Sequence, residues 1–205
     1  MDEALRAGIA IYNAGDYHAA HDAWEERWLE LESGTDDERL LHGLIQFTAA
    51  IHHARDRNWS GATGLAESAT TYLDGLPSTY RGVDLTSVRA ALERLDADPV
   101  WVERRAPPPL RHEEAVVMPE DLRFEAAAVA ARVLAAAYGY DTATIDRAIT
   151  FAREEIEGGE QTLFTTAVME FVTADAARAL VYQRLAEHVE RRNREYEDVD
   201  GLFEP

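Results

Sequence analysis

Gly15-Asp16-Tyr17-His18-Ala19-Ala20-His21-Asp22-Ala23-Trp24-Glu25-Glu26-Arg27-Trp28 reads as a turn that feeds straight into a helix. Asp16 is a good N-cap, able to accept from the free N–H groups of the first turn. On a 3.6-residue period His21, Glu25 and Trp28 share one stripe, with Tyr17 and Trp24 beside it. The spacing therefore predicts an ionisable pair buried among aromatic rings. Such burial is costly unless each member has a partner. The natural source of partners is the next helix, which carries His42, Gln46, His52 and His53. Five of the seven histidines fall between residues 18 and 53.

Working outward, the chain reads as helix throughout. Leu5, Ile9 and Tyr12 line one side of a helix over residues 2–13, ended by Asn13-Ala14-Gly15-Asp16. The helix quoted above runs to about residue 31, and Ser33-Gly34-Thr35-Asp36 turns the chain. A third helix, about 37–56, is apolar around most of its circumference through Leu40, Leu41, Leu44, Ile45, Phe47 and Ile51, as expected of a central element. A turn at 58–61 leads to a helix over 62–76, and a shorter one follows near 86–95. Pro99, Pro107-Pro108-Pro109 and Pro119 then make residues 96–120 too proline-rich for continuous helix. This stretch is read as the connection between an N-terminal helical domain, 1–95, and a C-terminal helical region, 121–205. In that region an alanine-rich helix starts at Pro119, a favoured first-turn residue, and ends near 138. Thr142 is a candidate cap for the next, which Gly158-Gly159 stop. Helices over 161–172 and 174–196 complete the chain. Arg178, Arg184, Arg191, Arg192 and Arg194 on the last helix interleave with Glu187, Glu190, Glu195 and Glu197, the pattern of a solvated, salt-bridged face. No segment alternates with the period of a strand. The expected fold is all-α, a multi-helical bundle of antiparallel α-hairpins with a C-terminal helical extension.

Composition narrows the function classes. A chain of 205 residues is long enough for one large domain or two small ones. It carries 39 acidic and 20 basic residues, a formal charge of −19, and every basic residue is arginine. Many carboxylates without lysine suit a salt-rich, halophilic cytoplasm, where charges are screened within a few ångström. The same charge would repel a phosphate backbone, which argues against a nucleic-acid partner. Without cysteine there is no disulfide, thiolate zinc site or cysteine nucleophile. The acidic start Met1-Asp2-Glu3-Ala4 lacks a basic-then-apolar signal, and no run of apolar residues is long enough to span a membrane. A soluble, cytoplasmic protein with no membrane partner is expected.

Two resemblances follow from the motifs. Tyr12-x-x-Gly15-Asp16-Tyr17-x-x-Ala20 is similar to the turn of a tetratricopeptide hairpin, echoed by Asn58-x-x-Gly61-Ala62-x-x-Leu65. The spacing departs from that family's period, so the likeness is to a hairpin and not to a repeat array. More specifically, residues 9–76 resemble the bacterial and archaeal family called domain of unknown function 309. Its pattern reads aromatic-Asn, a turn, an aromatic, then His-Glu-x-x-Glu-x-x-Trp. Here it stands as Tyr12-Asn13, Gly15, Tyr17, His21-Asp22, Glu25 and Trp28. The second block is matched by His42-Gly43, Gln46, Ala49-Ala50, His52-His53, Asn58 and Gly61-Ala62. Asp22 replaces a glutamate and His42 a glutamine. The resemblance implies an all-helical fold and no assigned activity, and it covers nothing after about residue 96.

If the second and third helices pair antiparallel about the turn near residue 35, facing residues have numbers that sum to about 70. His18 then meets His52 or His53, His21 meets Ala49, and Glu25 meets Ile45 or Gln46. Three readings follow. His21 and Glu25, with His53 as third ligand, are candidates for a divalent metal. Alternatively His21 and Glu25 are a catalytic acid/base pair, Glu25 orienting the imidazole. Or His21, Glu25, Gln46 and His53 satisfy one another in a buried core network. Tyr17, Trp28, Gln46 and His53 are the candidate ligand-binding residues. The leading expectation is a binding or interaction protein, activity unassigned, with a His/Glu-lined cleft for a small ligand or a metal, and with a small molecule or a protein as its partner. The rivals are a hydrolase-like enzyme acting on a small substrate in that cleft, and a structural subunit of a homo-oligomer.

Overall fold

The computed structural model describes residues 1–159 and 163–200, with side chains as far as residue 196. Contacts divide the chain into two compact units, one from Met1 to Leu122 and the other from Arg123 onward.

The first unit opens with α1 (Asp2–Asn13), α2 (Tyr17–Leu29), α3 (Asp36–Arg55) and α4 (Trp59–Leu73). Each packs on the next, in antiparallel-hairpin fashion. The N-termini of α2, α3 and α4 are set by side-chain caps. Asp16 accepts from Ala19 N, Thr35 from Glu38 N and Asn58 from Gly61 N. Asn58 therefore starts α4 ahead of Gly61, earlier than the turn chemistry suggested. The expected core residues of α1 and α3 are buried, among them Leu5, Ile9, Tyr12, Leu40, Leu41, Leu44, Phe47 and Ile51. Each such side chain contributes about 1.5–3 kcal/mol on leaving water.

α1 and α2 meet at Gly8, where a Cβ would lie 2.1 Å from Trp24 Nε1. The indole is fully buried there, and its N–H donates to Leu5 O at 3.3 Å. Gly15, with φ +93°, makes the left-handed turn between these helices.

After α4 the chain forms four two-residue strands: β1 (Thr79–Tyr80), β2 (Val83–Asp84), β3 (Arg111–His112) and β4 (Ala115–Val116). They pair antiparallel in the order β1-β2-β3-β4, in the register Thr79↔Asp84, Val83↔His112 and Arg111↔Val116. This corrects the expectation of no strand anywhere. Two residues are too few to show an alternating pattern, and Arg81, Gly82, Glu113 and Glu114 all have positive φ, as tight hairpin turns require. Between β2 and β3 lie α5 (Leu85–Ala97) and the one-turn α6 (Trp101–Arg104).

The proline-rich segment packs within this first unit. Tyr12 OH donates to Pro108 O at 2.9 Å, and Asn13 Nδ2 donates to Leu110 O and Val117 O at 2.9 and 2.8 Å. Leu110 N donates back to Asn13 Oδ1 at 2.8 Å. One asparagine thus satisfies extended backbone that has no helix to pair with. His112 is buried, with Nδ1 3.2 Å from Arg6. Burial, and then the Arg6 cation, pull its imidazole below the usual range.

The second unit holds α7 (Phe124–Ala137), α8 (Thr142–Glu157), α9 (Leu163–Thr173) and α10 (Arg178–Asp200). Pro119 opens a short 3-10 turn, Pro119–Asp121, and α7 begins after it. Alanines 126, 127, 128, 130, 131 and 135 make the buried side of α7. Asp141, not Thr142, caps α8, accepting from Ala143 N and Thr144 N. The expected start of α9 at residue 161 lies outside the described residues. Leu185 and Val189 of α10 are buried while Arg191, Arg192 and Arg194 are not, consistent with the solvated face read from the sequence. Among the described residues no helix is long and apolar enough to cross a membrane.

On a solvated helix Gly→Ala stabilises by roughly 0.5–1 kcal/mol. Gly8→Ala is expected to do the reverse, lowering unfolding stability by about 1–3 kcal/mol as the added methyl displaces Trp24. Urea denaturation of the two proteins decides the sign, and a stabilised variant would show that the helices do not meet at this point.

Candidate functional site

α2 presents two unlike faces. Ala19, Ala20, Ala23 and Trp24 are buried against the neighbouring helices. His21, Asp22 and Glu25 lie off that face, with the His21 side chain 25% exposed and that of Glu25 50%. The pair is therefore not buried among aromatic rings, as the stripe had suggested. Trp24 takes the core position over Gly8, and the small alanines beside it complete the packing face. His21 Nε2 and Glu25 Oε2 are 4.0 Å apart. Asp22 joins them, and one ligand atom from each of the three lies within 4.8 Å of the others.

His53 and Tyr17 make their contacts elsewhere. His53 Nδ1 contacts Asn58 Nδ2 at 2.6 Å, in space left by Gly61, where a Cβ would approach both within 2.7 Å. His53 is thus engaged at the start of α4, and Asp22 stands where it was expected. Gln46 is half-buried on α3. Tyr17 packs edge-on against Tyr12 at 5.0 Å, under the Arg55 guanidinium at 5.2 Å. Burial pushes the Tyr17 hydroxyl up, and Arg55 partly offsets this. The core network of His21, Glu25, Gln46 and His53 is not formed as expected: His53 bonds Asn58, and Glu25 is half exposed.

A different network occupies the α2–α3 interface. Glu38 is buried at the first turn of α3. Trp28 Nε1 donates to its Oε1 at 2.8 Å, Gly34 N donates to Oε2 at 3.3 Å, and His42 Nδ1 lies 3.2 Å from Oε1. The His42 ring stacks on Tyr72 at 3.7 Å and tilts against Trp28 at 4.5 Å. Burial would push the Glu38 carboxyl up. The hydrogen bonds from Trp28, Gly34 and His42 outweigh it and hold the group below its ordinary range. Sequence reading passed over Glu38 because Asp36-Asp37-Glu38 looks like a solvated, acidic first turn. Its signal was the i, i+4 spacing to His42.

At the other end of the seam His18 stacks on His52, with centroids 5.3 Å apart and planes at 21°. Trp28 with His42 and His18 with His52 are both pairs whose numbers sum to 70, so α2 and α3 keep the expected antiparallel register. His52 Nε2 in turn lies 3.4 Å from Asp56. The His21 cluster lies between these two ends.

Glu38→Gln keeps the shape and loses the charge, so it is expected to cost about 1–2 kcal/mol at neutral pH. A carboxyl held low in the folded state contributes stability above the usual carboxylate range and loses it as pH falls through the lowered folded value. The difference between the two proteins should therefore shrink toward acid pH in denaturant titrations. A difference that is independent of pH would remove the charge from the account.

Comparison with known proteins agrees with the resemblance read from the motifs. A protein of Aquifex aeolicus (strain VF5), described only as an uncharacterized protein, is 28% identical to this chain over 93 residues. The match covers 45% of this chain and 28% of that relative, so most of the relative has no counterpart in it. Residues 5–65, which hold α1, α2, α3 and the start of α4, match the model of the family described as Domain of unknown function (DUF309).

Proposed function

We propose that the first unit is a ligand-binding helical module whose site is His21, Asp22 and Glu25 on α2, and that its ligand is a divalent cation. The supporting observation is the placement of three ligand atoms within 4.8 Å of one another on one helical turn. An ion with bonds of roughly 2.0–2.2 Å to imidazole and carboxylate holds tetrahedral ligand atoms about 3.4 Å apart, so the 4.0 Å between His21 and Glu25 closes by a small side-chain rotation on binding. Asp22 supplies the second carboxylate, and the half-exposed Glu25 side chain can rotate toward His21 without disturbing the core. The two carboxylates give a net attraction for a dication that a lone histidine lacks. His53, bonded to Asn58, has no part in this set.

Three protein ligands leave coordination positions open. An open position is what a metal uses to hold a substrate or to activate water. If the module is an enzyme, the reading makes it a metal-dependent hydrolase-like one acting on a small substrate, with His21 and Glu25 as ligands rather than as a free acid/base pair.

Thermal melts with zinc, manganese or a chelator test the reading. A cation bound only by the folded chain is expected to raise Tm by about 3–6 °C at roughly tenfold its Kd. Glu25→Gln should abolish that rise while the metal-free variant melts near the wild type, because Glu25 is half exposed. The same response in wild type and variant, or none with either ion, would refute the site.

A further inference from the structure

A second feature of the first unit lies away from α2, at the end of α5. Arg94, Ala97, Asp98, Trp101, Arg104 and Arg105 line a hollow of about 410 Å³. Three guanidiniums and one carboxylate therefore converge, on a chain whose formal charge is −19. Arg104 pairs with Asp98. Arg94 lies over the Trp101 ring, 5.6 Å from its centroid. Among the described residues neither Arg94 nor Arg105 has a carboxylate within ion-pair distance. In so acidic a protein two unmatched arginines side by side are not explained by general surface charge, which is screened within about 8 Å at physiological salt.

Trp101 supplies an independent observation. It is 6% exposed, and its indole Nε1 is buried with no hydrogen-bond partner among the described residues. An unpaired buried donor is costly and usually marks a missing acceptor. Trp101 forms part of the wall of the hollow, and its buried Nε1, shut off from solvent, reaches an acceptor placed there once the ring turns toward it.

We infer that this hollow binds a phosphate-class oxyanion, either free phosphate or the phosphoryl end of a small molecule. Arg94, Arg104 and Arg105 supply the guanidinium forks, whose planar geometry matches phosphate oxygens. The Trp101 N–H completes the donor set as the side chains close on the anion. Asp98 limits the net charge and keeps Arg104 in place. The site is separate from the α2 cluster and takes a ligand of the opposite sign, so neither proposal depends on the other.

Inorganic phosphate and glycerol phosphate, each at low millimolar concentration, are the probes, with chloride at matched ionic strength as control. At that concentration general salt exclusion contributes little. Wild type is expected to melt a few degrees higher with at least one probe, and Arg105→Gln and Arg94→Gln should each lose most of the rise. A larger shift with glycerol phosphate would identify an organic phosphate as the ligand, and an equal or smaller one free phosphate. In proton–nitrogen correlation spectra the Trp101 indole peak, assigned with Trp101→Phe, should move on addition of the effective probe. No shift in Tm with either probe, or an equal shift in wild type and both arginine variants, overturns the site. A thermal shift without movement of the indole peak overturns the part given to Trp101.

Discussion

The α2–α3 hairpin depends on one desolvated carboxylate. Glu38 is buried, and it stays ionised because donors from three places converge on it: Trp28 from α2, Gly34 from the turn and His42 from its own helix. A carboxylate in this setting is costly to leave unpaired. The requirement selects one register of α2 against α3. A slip by one helical turn would strand Glu38 without the indole and move His42 off Trp28. Hydrophobic burial supplies most of the stability of the hairpin, but burial alone tolerates sliding, whereas the carboxylate does not.

That register explains what the rest of α2 is free to do. With Trp28 tied to Glu38 and Trp24 seated over Gly8, the helix is fixed at two points on its inner side. Tyr12 and Asn13 hold the proline-rich segment, Gly15 turns the chain, and Tyr17 packs on Tyr12. Nearly every position of the first motif therefore has a packing or hydrogen-bonding task. His21, Asp22 and Glu25 are the exception: they share one partly exposed patch, where His21 meets only the neighbouring His18 ring and Glu25. Residues with ligating side chains and no structural task are the ones in which a binding role is most economically placed.

Much of the helical framework was legible because its signals are local. The apolar stripe of α1, the all-round apolar α3 and the cap Asp16 each depend on a few neighbouring residues, and each took the expected form. The α2–α3 pairing also followed, since a short turn leaves little choice of register. What could not be read depended on contacts distant in sequence. Nothing local marks residues 107–117 as partners of Tyr12 and Asn13. Strands of two residues carry no period. Glu38 was hidden in an acidic first turn, where Asp36 really is the solvated charge it resembled, while Asp37 is tied to Arg81 and Tyr80. The stripe of His21, Glu25 and Trp28 was misplaced for a related reason. Helical spacing says which residues share a face, but which face turns inward was decided by the glycine at position 8 of another helix.

The most direct measurement of the central claim is a double-mutant cycle between Trp28→Phe and Glu38→Gln, read by urea denaturation at neutral pH. Phe keeps the ring and removes only the N–H. If the indole-to-carboxylate bond locks α2 to α3, the two changes should couple by about 1 kcal/mol or more. Effects that add to within about 0.3–0.5 kcal/mol would mean that the residues act independently, and would contradict the account.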